Sequence, residues 1–169
     1  MSAKLEQNLI CFVDFKVKSQ DMYQLKHVQL VKTDLNTCWE FFSSPENLKK
    51  ITPDFMGFDI VSVIAEKMYE GMMIEYHVRP LFNIPLQWVT EITHVEKNVF
   101  FVDEQRIGPY KMWHHEHHFK ETAEGIEMTD IVSYALPFGF VGRLLQPLIA
   151  KKLNQIFTYR QAIINNTFS

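Results

Sequence analysis

Glycine is scarce, with six in 169 residues, and none sits in a Gly-rich run that could cradle a phosphate. A dinucleotide-binding unit is therefore not expected, and there is no Gly-x-Ser-x-Gly nucleophile elbow. Cysteine is scarcer still. Cys11 and Cys38 lack Cys-x-x-Cys spacing and make no disulfide framework, which favours a reducing compartment. Charge of one sign is also missing: 17 Lys+Arg stand against 20 Asp+Glu, a net charge of -3, which excludes a nucleic-acid binder driven by net charge. No apolar run approaches the roughly 20 residues of a transmembrane helix. Residues 9–13 are too short for a signal-peptide core, and Asp14 ends them, so the cytoplasm is the expected location.

What is present is apolar and aromatic. Hydrophobic residues make up 47% and there are 14 Phe, too many for a disordered chain. A chain of this length buries roughly 68–70% of its unfolded surface, enough for one well-formed core. Residues 1–21 read as an N-terminal extension and 22–169 as a single domain.

Residues 23–32 alternate weakly, as a strand. Asp34 then offers an N-cap, and Leu35, Cys38, Trp39 and Phe42 fall on one helical face. Ser44-Pro45 announces a second short helix, with Ser44 as cap, Pro45 at its first position and Glu46 at its positive end. Leu48 and Ile51 face inward, and Pro53 stops it. From about 57 to 136 the period becomes two: Ile74, Tyr76 and Val78 alternate with Glu75, His77 and Arg79, and further strands follow at hairpin spacing. From Phe140 the helical period returns for about 25 residues, long enough to cross a sheet, with Pro147 in its first turns or kinking it. The order predicts an α+β fold: a curved antiparallel sheet of about six to seven strands wrapped around a long C-terminal helix, with two short helices after the first strand and a cavity between sheet and helix.

The chemistry concentrates in Trp113-His114-His115-Glu116-His117-His118-Phe119. On a strand, Trp113, His115, His117 and Phe119 share one face, and the flanking aromatics mark it as interior. A two-residue Ala123-Glu124 loop would pair Thr122 with Gly125. It would also set Phe119 opposite Met128, His117 opposite Asp130, His115 opposite Val132 and Trp113 opposite Tyr134. A contact between His117 and Asp130 is predicted. Such a pair can be a satisfied polar contact, can orient a ligand, or can move a proton, with His117, Asp130 and His115 as the candidate catalytic groups. His-x-His with Asp130 could also ligate a metal, but no fourth ligand is apparent, and no metal or cofactor is assigned. His114, Glu116 and His118 point the other way.

Asp103 and Gln105 lie on the preceding strand. A three-residue turn around Pro109 sends them inward; a two-residue Gly108-Pro109 turn sends them out and Phe100 and Val102 in. The residues themselves leave both open. Trp88, Trp113 and Tyr134 are expected as cavity walls. Tyr76, Phe55, Phe58 and Phe138 read either as walls or as plain core. Arg160 can face the cavity or pair with a surface acid. Cys38, on an apolar helical face, reads as packing.

Particular stretches sharpen the pattern: Phe41-Phe42-Ser43-Ser44-Pro45-Glu46-Asn47-Leu48 with Ile51-Thr52-Pro53; Asp103-Glu104-Gln105; Gly108-Pro109-Tyr110; Trp113, His115, His117 and Phe119; Thr129-Asp130; Tyr134-Ala135-Leu136-Pro137; Tyr159-Arg160. Over about 22–165 the chain resembles small bacterial members of the START-like, birch-pollen-allergen-like superfamily. The resemblance implies the helix-grip fold, Asp103 and Gln105 facing inward, and a ligand-binding or polyketide cyclase/dehydrase-like protein. The expected function is binding of a small hydrophobic or amphipathic molecule, oriented by Asp103, Gln105, His115, His117 and Asp130. The alternatives are a cyclase/dehydrase using an interior His–Asp pair, and a protein-interaction or co-chaperone module. Residues 1–21 could form a homodimer contact.

Overall fold

The computed structural model describes residues 10–17, 20–62, 65–79 and 84–169. The chain runs β1 (Ile10–Val17), β2 (Gln20–Val31), α1 (Leu35–Phe42), α2 (Pro45–Lys50), one 3-10 turn (Asp54–Met56), β3 (Asp59–Ile60), β4 (Met72–Val78), β5 (Leu86–Glu96), β6 (Phe100–Ile107), β7 (Met112–Thr122), β8 (Gly125–Ala135) and α3 (Phe140–Thr167). Among the described residues, eight strands form one antiparallel sheet in the order β1-β2-β8-β7-β6-β5-β4-β3. This is the expected α+β arrangement, with the two short helices and the long C-terminal helix in place.

Residues 10–17, expected within an extension, pair along their whole length with β2 and supply the sheet's edge strand beside it. Residues 1–9 lie outside the described residues. The β2 strand begins at Gln20, a few residues before the expected start.

Local rules account for most elements. Asp34 caps α1: its carboxylate accepts from the Thr37 backbone N–H at 3.0 Å and from the Thr37 hydroxyl at 2.6 Å. Ser44, expected to cap α2, makes no side-chain cap bond; Pro45 alone starts that helix. Along β4, Met72, Ile74, Tyr76 and Val78 are all buried, as strict alternation requires. Register shifts between β5 and β6, at Val89/Thr90 and Ile92/His94, are bulges that bend the sheet.

The helix α3 presents Leu153, Phe157, Arg160 and Ile164 to the interior, one helical face at four- and three-residue steps. Pro147 lies inside this helix, which continues through it. Its entry is tight, for a Cβ on Gly142 would sit 2.3 Å from the Pro137 carbonyl oxygen. At the other end Cys38, Trp39 and Ile51, from α1 and the end of α2, pack on Phe101, Phe119 and Ile126 and close the sheet. Leu25, Val132 and Tyr134 pack against Leu153 and Phe157 to anchor α3 on β2 and β8.

Candidate functional site

The β7–β8 hairpin closes with Thr122 opposite Gly125, and its register sets His117 opposite Asp130, His115 opposite Val132 and Trp113 opposite Tyr134. On the other side of β7, Asp103 pairs with His115. That is the register a turn centred on Pro109 dictates, and it turns the Asp103 side chain inward.

The result is an alternating array of two carboxylates and two imidazoles. The His115 Nε2 donates to Asp130 Oδ1 at 3.1 Å, while its Nδ1 lies 3.2 Å from Asp103 Oδ2. The His117 Nε2 donates to the same Asp103 oxygen at 3.0 Å. Its Nδ1 is 2.9 Å from Asp130 Oδ1, an ion-pair distance, but out of line for a hydrogen bond. The two rings lie against each other with centroids 3.8 Å apart. Trp113 Nε1 completes the coordination of Asp103 with a bond of 3.3 Å to Oδ1. Asp130 is wholly buried, and His115 and His117 are nearly so.

These contacts bear on the charges of His115, Asp103 and Asp130. An ionised carboxylate only accepts, so a ring nitrogen facing one carries the proton. Burial alone works against a charge on His115. The field of Asp103 and the hydrogen bonds to Asp103 and Asp130 outweigh it and lift its pKa to about 9. Burial likewise disfavours the charge on Asp103, yet His115 and His117 together hold its carboxyl well below the usual range. The same opposition, with hydrogen bonding from His115 foremost on the favourable side, keeps Asp130 ionised. Asp103, His115 and His117 also bring one donor atom each to within 4.8 Å of one another, a set that could hold a metal ion.

The array forms one wall of a cavity of about 300 Å³ between the sheet and α3, at the lower end of the range for ligand pockets. Of the residues expected at the site, Trp88, Asp103, Trp113, His115 and His117 line it. Asp130 stands behind the histidines as their positioning partner. Tyr134 packs into the core between Tyr23, Tyr110 and Trp113 instead of forming a wall. Gln105 ties the β6–β7 turn together: its Nε2 donates to the Tyr110 carbonyl at 2.8 Å, and its Oε1 accepts from the Tyr110 N–H at 3.2 Å. Tyr76 and Phe58 line the cavity, whereas Phe55 and Phe138 are exposed. The outward set forms a surface relay, with His114 bridging Glu104 and Glu116, and His118 on Glu116.

Some polar groups here have no clear signal in the chain. His27 on β2 is fully buried opposite Asp130, its Nδ1 3.6 Å from Oδ2. Its place on the buried face of a weakly alternating strand was the available hint. The Thr90 hydroxyl accepts from Trp88 Nε1 at 3.1 Å and bonds to the Tyr76 hydroxyl. Arg160, left open between two environments, lines the cavity and is 7% exposed.

Comparison with protein-family profiles and with curated proteins gives no match. Among solved structures, the chain is similar to TTHA0849 of Thermus thermophilus, with a TM-score of 0.65 at 14% identity over 86% of this chain and 99% of that one. It is similar to the ginseng major latex-like protein 151 of Panax ginseng, with a TM-score of 0.65 at 14% identity over 88% of this chain and 98% of that one. SA2116 of Staphylococcus aureus, a protein of unknown function, has a TM-score of 0.63 at 12% identity over 88% and 97%. At such identities the likeness is one of fold: the helix-grip α+β architecture. No helix among the described residues is long and apolar enough to cross a membrane.

Proposed function

We propose that the protein binds a small, largely apolar molecule in the cavity between the sheet and α3. The observation that carries this reading is the cavity itself: about 300 Å³, walled mainly by apolar and aromatic side chains, with polar groups gathered on one side. Apolar walls supply affinity by burial, and the few polar groups choose the orientation. This takes the chain towards the ligand-binding branch of the START-like superfamily.

The proton on His115 favours binding over proton abstraction by that residue. A general base needs a free lone pair near neutral pH. His115 holds its proton to about pH 9, and both its ring nitrogens face carboxylates. The Cys38 thiol is pushed up to about 12 by burial and is no nucleophile.

Native mass spectrometry of freshly purified protein tests the reading. An excess of a few hundred daltons that disappears on denaturation is expected, and Ile149→Trp, which fills the cavity from α3, should abolish it without unfolding the chain. An unchanged excess in that variant would remove the cavity from the reading. A metal-sized excess would instead assign Asp103, His115 and His117 as ligands.

One observation favours a second reading, association through α3. Phe138, Phe140, Val141 and Leu144 are all exposed around the start of that helix, and Phe138 is held at a left-handed φ of 64°. Scattered apolar residues are ordinary, but a cluster marks a contact surface. If the face joins two copies, sedimentation shows a dimer that Phe140→Glu with Leu144→Glu dissociates. A monomer at all concentrations refutes it.

A further inference from the structure

Arg160 is the group in the cavity that the array does not use. It projects from the inward face of α3, is 7% exposed, and lines the cavity. Its guanidinium lies over the Phe157 ring, 5.1 Å from the centroid. Among the described residues it makes no hydrogen bond and no ion pair, and its Nε is buried without an acceptor. The carboxylates of Asp103 and Asp130 are near enough to act on it electrostatically. Both are already taken up by His115 and His117, and neither comes within ion-pair distance of it.

A buried guanidinium without an acceptor is expensive, and an acceptor arriving with a ligand recovers that cost. The guanidinium presents a planar fork of donors that matches a carboxylate in two parallel bonds. The surrounding charge narrows the choice further. Asp103 and Asp130 outnumber the His115 imidazolium between them, and they repel a dianion such as a phosphate monoester more than a monoanion. The remaining walls, among them Trp88, Trp113, Tyr76 and Phe58, suit an alkyl or aryl body.

We propose that the cavity selects amphipathic monocarboxylates, with the ligand carboxylate paired to Arg160 and its apolar body lying against the aromatic walls. This rests on the ligand-binding reading above and names the ligand class.

Titration calorimetry on the full chain tests it with two matched pairs, decanoate against decanol and naphthalene-acetate against naphthalene-ethanol. Each acid is expected to bind about tenfold to a hundredfold tighter than its alcohol, the range of a charge-assisted pair. Arg160→Gln is expected to abolish that preference while keeping the alcohol affinity, and Arg160→Lys to keep part of it. Alcohols that bind the wild type as well as acids overturn the carboxylate proposal and leave the cavity reading intact. So does a preference that survives in Arg160→Gln. Binding of neither member of either pair overturns both. The wild-type comparison needs no variant, so a poorly folding Arg160→Gln does not blunt the test.

Discussion

Asp130→Asn lowers the unfolding free energy by about 3–5 kcal/mol at neutral pH, the scale for breaking a buried ion pair from one side. The substitution keeps the shape of the side chain and removes its charge. Asp130 is fully buried and faces ring nitrogens of His115, His117 and His27. With asparagine in place, the His115 imidazolium loses one of its two counter-charges, and an amide N–H₂ group competes for the space in which only acceptors are wanted. The melting temperature should drop by on the order of 10 °C, with denaturant titration giving the free energy directly. Glu116→Gln is the control, because Glu116 lies on the outward face of the same strand as the histidines and pairs with His114 and His118 in partial exposure. It should cost less than about 1 kcal/mol. An Asp130→Asn variant as stable as the control would mean that the array contributes nothing to the fold.

Stability falls between pH 6.5 and pH 9, by about 3 kcal/mol if His115 acts alone. The sign follows from its raised pKa. The folded protein holds the His115 proton up to about pH 9, against an ordinary value of 6.5. Its contribution is complete below 6.5, declines as the unfolded chain stops binding the proton, and is gone once pH passes the folded value. Asp103 and Asp130 act at the acid end. Their folded carboxyls titrate below the ordinary carboxylate range, so their contribution is present above about pH 4 and is lost as pH falls. Urea midpoints measured across this range should form a plateau between about pH 5 and 6.5 with a decline on each side. Asp103→Asn should flatten the alkaline decline, because Asp103 supplies the leading favourable influence on His115. A wild-type profile level from pH 6.5 to 9 would refute the assignment of the His115 proton.

The array was partly legible because hairpin pairing is arithmetic. Once Thr122 faces Gly125, every later pair on β7 and β8 follows, and alternation assigns the faces. The geometry nevertheless divides the contacts differently from a single pair: each histidine meets both Asp103 and Asp130. A side chain reaches diagonal neighbours and the next strand as well as its direct partner, and one-dimensional register does not describe that reach. Gln105 shows the complementary case. Its strand position is the one that a turn around Pro109 points inward, but the side chain is long enough to bond back to the Tyr110 backbone, and it stays there.

The sequence by itself determined the order of elements, the Asp34 cap, the β7–β8 register and the inward face of β7, because each depends on neighbours a few residues away or on one short turn. Tertiary structure alone decided that β1 joins the sheet beside β2, that Phe55 and Phe138 stay outside, and that Tyr134 becomes core. It also brought His27 against Asp130 and Arg160 into the cavity. Those outcomes depend on how the bent sheet closes on α3, on residual volume and on which charges meet across elements far apart in the chain. Local periodicity records which face a residue occupies; the opposing element determines what that face meets.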